Sequence, residues 1–322
     1  MAAGCRRHRP EAVRAAGTAA EVAGRMSLFT RPAPLCAISG TGRVRTERGH
    51  ALDAYVEIGS VTKALTGTLL ARLADAGLLS VDDRLTVWLP AVPAGSEITL
   101  RQLADHSSGL PRLPPQLSSA DPRDPYAGFG AEEFGDVLRR LDTLAVRAPG
   151  AGEEYSNLGY AVLGAALEAA GGGPYEELLR RHVLAPLGVD EVTADPPAHR
   201  TLTARGLFGR PRAPWTMTGP ILPAGGLWAT PRAVAELVKG LLVDRTLGEP
   251  ALSWQRAGAL WWHNGATRDA SAFVGALPGT TTWAVVHRLG GRPARTDKVG
   301  LELLAEAKKA TEDRERTEGP AL

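Results

Sequence analysis

The chain has 322 residues, 44% of them apolar, and a formal net charge of +2. That length suits one large domain or two intimately joined ones with a substantial core, and basic residues scattered along the chain exclude an electrostatic nucleic-acid footprint. Cys5 and Cys36 are too few for a disulfide framework or a thiolate metal site, and no His-x-x-x-His spacing occurs, so neither metal nor cofactor is expected.

The first residues carry Arg6, Arg7, Arg9 and Arg14, followed by Ala, Gly and Glu instead of a continuous apolar segment, so no secretory signal is evident. No apolar run is long enough for a membrane-spanning helix. A cytoplasmic location is the expectation, with export left open if the start is misplaced and Met26 is an alternative. Residues 1–30 read as an N-terminal extension suited to disorder, 31–310 as one folded domain, and 311–322 as a charged flexible tail.

In chain order, Pro34 to Ser39 and Arg43 to Thr46 read as two strands joined at Gly40-Thr41-Gly42. From Ser60 to Ala76, Val61, Leu65, Leu69 and Leu73 recur at helical spacing, and Gly77 ends the segment as a C-cap would. Thr99-Leu100-Arg101-Gln102 has the form of a capping box. Pro111 to Gly130 is rich in Pro, Ser and Asp and reads as an irregular loop able to overhang a site. An apolar helix is expected from Leu158 to Ala170, another opens at Pro174, and Thr230-Pro231 starts one that runs to Leu242. Trp261 to Asn264, Ala272 to Leu277 and Thr282 to Leu289 are strand-like, and a helix from Lys298 to Ala310 follows. The fold class is α+β: an antiparallel sheet built from both termini (about 34–58 and 255–310), flanked by helices, with a mostly helical insertion at about 60–245.

Three short patterns carry chemistry. Ser60-Val61-Thr62-Lys63 places a hydroxyl and an amine on one helical face, although alone it also fits an N-cap serine beside a solvated lysine. Tyr155-Ser156-Asn157 offers a proton-transfer group and an amide, or simply a helix start capped by Asn157. His263-Asn264-Gly265-Ala266 closes an edge strand where glycine admits a ligand to the backbone. Lysine occurs only at 63, 239, 298, 308 and 309 and asparagine only at 157 and 264, so both asparagines and the only lysine in the first two hundred residues fall inside these motifs.

In this order and spacing the three resemble the Ser-x-x-Lys, second polar triad and Lys-Thr-Gly of the serine β-lactamase and penicillin-binding protein superfamily, in its class C-related esterase and D-alanyl-D-alanine carboxypeptidase branch. Further landmarks are Glu57-Ile58-Gly59 before Ser60, His106-Ser107-Ser108-Gly109-Leu110-Pro111, and Ala224-Gly225-Gly226-Leu227 with Thr230. The resemblance implies that Ser60 forms an acyl-enzyme, Lys63 helps remove its proton, and Tyr155 relays protons, with the choice of base between the last two left open. It further implies that Asn157 orients Lys63 and the acyl side chain, and that the N–H groups of Ser60 and Ala266 form an oxyanion hole beside Gly265.

His263 stands where the β-lactamase form has lysine. A histidine with a pKa near 6.5 is mostly neutral at pH 7 and weakens carboxylate recognition. Arg268 either reaches back to replace that charge or is a solvated turn residue, and His106 is assigned to loop packing. The expected function is a serine hydrolase acting on an ester, amide or β-lactam-like acyl donor, small-molecule or peptide; the alternatives are a biosynthetic transacylase and a silent ligand-binding relative.

Overall fold

The computed structural model describes residues 33–318 apart from 115, 116, 118–120, 122 and 291. The expected extension at 1–30, with Cys5 and Met26, lies outside the described residues, as do the last four residues of the expected tail. Nine strands are described: β1 (Leu35–Ser39), β2 (Val44–Glu47), β3 (Val56–Glu57), β4 (Val192–Thr193), β5 (Trp228–Ala229), β6 (Gln255–Ala257), β7 (Leu260–Ala266), β8 (Ala270–Ala276) and β9 (Trp283–Leu289). The α-helices among the same residues are α1 (Val61–Asp75), α2 (Leu85–Trp88), α3 (Leu100–Ala104), α4 (Ala131–Arg139), α5 (Leu141–Leu144), α6 (Asn157–Gly171), α7 (Tyr175–Leu179), α8 (Leu222–Gly225), α9 (Pro231–Val238) and α10 (Pro293–Glu318).

The main sheet runs β2-β1-β9-β8-β7-β6, antiparallel throughout, and so joins the two ends of the domain as the sequence predicts. Its central strand β8 is buried at every position, because helices cover both faces. On one face α10 packs over Leu35, Ala37, Phe273, Ala284 and Val286 through Leu304. This helix is longer at both ends than the expected 298–310. Pro293 suits its first turn, and Lys298–Glu302, Lys308–Glu312 and Asp313–Arg316 pairs along its exposed side support residues first read as tail.

The other face of the sheet meets α1 and α9. Spacing alone makes α1 amphipathic; in the fold it is the central helix, buried continuously from Val61 to Leu70 and again at Leu73. Its hydroxyls therefore need internal acceptors: Thr66 donates to Pro223 O at 2.7 Å, and Thr68 donates to Ala64 O. A second sheet, β3-β5-β4, has strands of two residues each, too short to leave a periodic signal. Its β3 delivers the chain into Gly59-Ser60. The capping box is present, with Thr99 Oγ1 accepting from Gln102 N and Gln102 Oε1 accepting from Thr99 N. At α6 the cap is Ser156, not Asn157: Ser156 Oγ accepts from Gly159 N at 2.8 Å, which frees the Asn157 side chain. Among the described residues no helix is long and apolar enough to cross a membrane.

Candidate active site

Ser60 precedes α1 in near-helical conformation (φ −64°, ψ −7°), and its side chain caps no backbone N–H. The N-cap reading of this serine is thereby removed. Its Oγ instead accepts the Tyr155 hydroxyl at 2.6 Å and lies 3.2 Å from Lys63 Nζ. Gly59 makes the approach turn at φ +51°, and a Cβ there would meet Ala266 N at 2.8 Å, so the turn and the end of β7 touch through backbone.

Lys63 is fully buried rather than solvated. Its Nζ reaches Asn157 Oδ1 at 2.7 Å and the carbonyl of Ala224 at 2.5 Å, and lies 4.8 Å from the ring centre of Tyr155. Burial drives its pKa well below the ordinary lysine value, and the nearby Arg112 pushes the same way. Tyr155 moves oppositely: burial raises its phenol, only partly offset by the hydrogen bond to Ser60. The pair is thus biased toward a neutral amine and a protonated phenol. Asn157 is held in place from behind, since its Nδ2 donates to Tyr126 Oη at 2.9 Å.

The opposite wall is β7. Alternation along the strand sends Trp262 and Asn264 to the α10 side, where Trp262 stacks on Phe273 and Asn264 Nδ2 donates to Asp297 at 3.1 Å. One of the two asparagines kept by the chain therefore serves the scaffold. His263 and Gly265 face α1. A Cβ at Gly265 would fall 2.0 Å from Ile58 O and 3.0 Å from Ser60 N, so only glycine lets this strand lie against the serine turn. His263 is buried, and its Nδ1 lies 2.6 Å from the carbonyl of Asn264, which can only accept. The proton thus sits on Nδ1, and burial pushes the imidazole down to about 4.

Arg268 does neither of the things expected of it. Its guanidinium binds Asp269 and donates to the carbonyls of Arg123 and Ala213, tying two loops to the β7–β8 turn. His106 is a packing residue of an unusual kind: at φ +62° its ring lies 4.5 Å from that of Tyr155, and its Nδ1 accepts from Ser156 N. Sequence reasoning missed Tyr126, the Ala224 carbonyl and Arg112, whose guanidinium lies 5.1 Å from the Tyr155 ring centre. Scarcity could have pointed to the first of these, because the chain has only five tyrosines and Tyr126, Tyr155 and Tyr160 surround Lys63 and Asn157. Beside the serine turn is a cavity of about 610 Å³ whose wall includes Glu57, Trp215, Met217 and Gly225. Burial raises the Glu57 carboxyl to about 7.

β7 is not the edge strand expected from the sequence, because β6 lies outside it and leaves only its last residues uncovered. A polar serine–lysine–tyrosine cluster between a central helix and that uncovered end fits the serine β-lactamase and penicillin-binding class of fold. The model of the Beta-lactamase family matches residues 8–285, and the chain belongs to that family. It is 34% identical over 188 residues to the D-alanyl-D-alanine-carboxypeptidase/endopeptidase AmpH of Escherichia coli K12, covering 56% of this chain and 47% of that protein. It is also 34% identical over 158 residues to esterase EstB of Burkholderia gladioli, covering 45% of this chain and 40% of that one. The chain thus aligns with under half the length of these relatives. The octameric penicillin-binding protein homologue from Pyrococcus abyssi superposes with a TM-score of 0.69 at 22% identity, over 85% of this chain and 74% of that one, which supports the fold.

Proposed function

We propose that the protein is a serine hydrolase working through a Ser60 acyl-enzyme on an ester or amide acyl donor. The observation that carries this reading is the line of polar atoms from Tyr155 Oη through Ser60 Oγ (2.6 Å) to Lys63 Nζ (3.2 Å). Burial biases Lys63 toward the neutral amine, and on that footing the proton count gives the line a direction. Asn157 Oδ1 and Ala224 O can only accept, so they take both N–H bonds of a neutral Lys63 amine. The remaining lone pair faces Ser60, whose O–H donates to it while Oγ accepts from Tyr155. Lys63 is then the base and Tyr155 the proton donor, consistent with the opposite displacements of their pKa values.

In acylation, Ser60 Oγ attacks the acyl carbon and its proton passes to Lys63. The bond to the leaving atom then breaks as Tyr155 protonates it, and Tyr155 recovers a proton from Lys63. Water repeats the sequence in reverse to release the acid. The developing oxyanion is held by the N–H groups of Ser60 and Ala266. Support for the second donor comes from the strand: β6 pairs only with Leu260–Trp262, and Thr267 N donates inward to Ala270 O at 2.9 Å. Alternation along an antiparallel strand therefore turns the Ala266 N–H to the uncovered edge.

His263 is neutral and bonded to its own backbone, so the strand wall offers no charge to a carboxylate, a departure from the lysine form of the family. The names of the relatives, a carboxypeptidase and an esterase, span the acyl donors this site would take. Treating the protein with a fluorophosphonate and reading intact mass tests the nucleophile. One adduct is expected on the wild type and none on Ser60→Ala; labelling that survives in the variant removes Ser60 from the role.

A further inference from the structure

Three of the basic side chains near the serine are already committed. Lys63 is buried and drives its N–H bonds into Asn157 and Ala224, Arg268 is bound to Asp269 and two loop carbonyls, and His263 is neutral. Arg112 differs from all three. It is exposed, and among the described residues its guanidinium meets no carboxylate and no hydrogen-bond acceptor. Its one defined contact is the Tyr155 ring, at 5.1 Å to the centre, so a single tyrosine separates the guanidinium from Ser60 Oγ. The charge is felt inside the site, where it adds to the burial that lowers Lys63 and partly offsets the burial that raises Tyr126 and Tyr155.

The backbone that carries it is fixed. Arg112 O accepts from Asn157 N at 2.9 Å and Leu158 N at 3.4 Å, and the preceding Pro111 O accepts from Ser156 Oγ at 2.7 Å. The residue is therefore anchored to the start of α6, the element that carries Asn157. An unpaired planar cation on a fixed backbone, lying over the ring that serves the leaving atom, is a receptor for an anion. One guanidinium without a second cation matches a monoanion, hence a carboxylate rather than a phosphate dianion.

We propose that Arg112 binds a carboxylate on the leaving-group portion of the acyl donor. Anion recognition in this cleft lies on the tyrosine wall instead of the strand wall, where His263 supplies no charge. The placement follows from Tyr155: if the phenol protonates the leaving atom, the group released passes beside Arg112. The proposal rests on the Ser60 acyl-enzyme.

Two acetate esters with the same acyl group test it: 4-acetoxybenzoate, charged on the leaving group, and its neutral methyl ester. In Arg112→Gln the ratio of kcat/KM for the charged ester over the neutral one should fall roughly tenfold, mainly through KM, and Arg112→Lys should restore part of it. The matching ratio for phenyl hydrogen succinate over phenyl butyrate, with charge on the acyl side, should not move. Equal loss on both acetates would reduce Arg112 to a modulator of Tyr155 and Lys63 and overturn the proposal. A change confined to the succinate pair would overturn it too, by moving the anion to the acyl side. Failure of the acyl-enzyme reading has a separate signature: Ser60→Ala would hydrolyse the neutral acetate as fast as wild type.

Discussion

The two walls of the cleft are built on opposite terms. On the helical wall, Ser60, Lys63, Tyr155 and Asn157 exchange hydrogen bonds with one another, and Asn157 is backed in turn by Tyr126. On the strand wall the backbone does the work: Gly265 allows contact, Ala266 presents an N–H, and the buried side chain His263 is turned onto its own chain. Positioning a reactive amine needs several partners, because burying it unpaired costs more than any one hydrogen bond returns. Presenting a peptide N–H needs only a strand edge with nothing over it.

The contrast is broken most severely at Lys63. In Lys63→Met the apolar chain fills the space, but the acceptors Asn157 Oδ1 and Ala224 O lose their donor and Ser60 loses its proposed base. Hydrolysis should fall roughly a thousandfold or more, with about 1–3 kcal/mol of stability lost to the orphaned acceptors. Ester kinetics and urea unfolding on the same preparation read the two effects. A rate loss below tenfold would make Lys63 a packing residue.

Much of the helical wall was readable in the sequence, and less of the strand wall. Ser60 with Lys63 and Tyr155 with Asn157 are side-chain patterns at fixed short spacing, and helix geometry converts spacing into proximity. The Thr99–Gln102 box and the hairpin from β1 to β2 were legible for the same local reason. Ala224 was visible only as a landmark: what it contributes is a carbonyl, and every residue has one. Arg112 and Tyr126 sit in a loop with no periodicity, and their distance from Tyr155 and Asn157 is fixed by the fold. Scarcity singled out Lys63 and Asn157, which hydrogen-bond each other beside Ser60, but equally Asn264, which holds β7 to α10 through Asp297. Composition marks a residue as retained without saying for what.

A smaller but sharper break lies on the strand wall. Gly265→Ala adds one carbon that would stand 2.0 Å from Ile58 O, so β7 must retreat from the serine turn and carry the Ala266 N–H with it. If the Ala266 N–H is the proposed oxyanion donor, its loss lowers kcat by roughly a hundredfold to a thousandfold, while overpacking at a strand end costs about 1–3 kcal/mol. A variant that stays folded and largely loses turnover separates catalytic geometry from stability. Full activity would show that the edge of β7 does not hold the oxyanion.

The mildest effect distinguishes the walls by pH. His263 titrates at about 4 in the fold and near 6.5 when unfolded, because burial disfavours the imidazolium. Between those values the unfolded chain binds a proton that the folded one refuses, so stability falls as pH falls. By about pH 5 this one group should have removed about 2 kcal/mol relative to pH 7. His106, lowered to about 3 by burial, adds a loss of the same sign from the tyrosine side. In His263→Gln the decline should be shallower by one titrating group, measured as the difference in urea-unfolding free energy between about pH 7 and about pH 5. An unchanged slope would mean that His263 is protonated in the folded protein; the strand wall would then carry a charge after all, and the asymmetry between the walls would disappear.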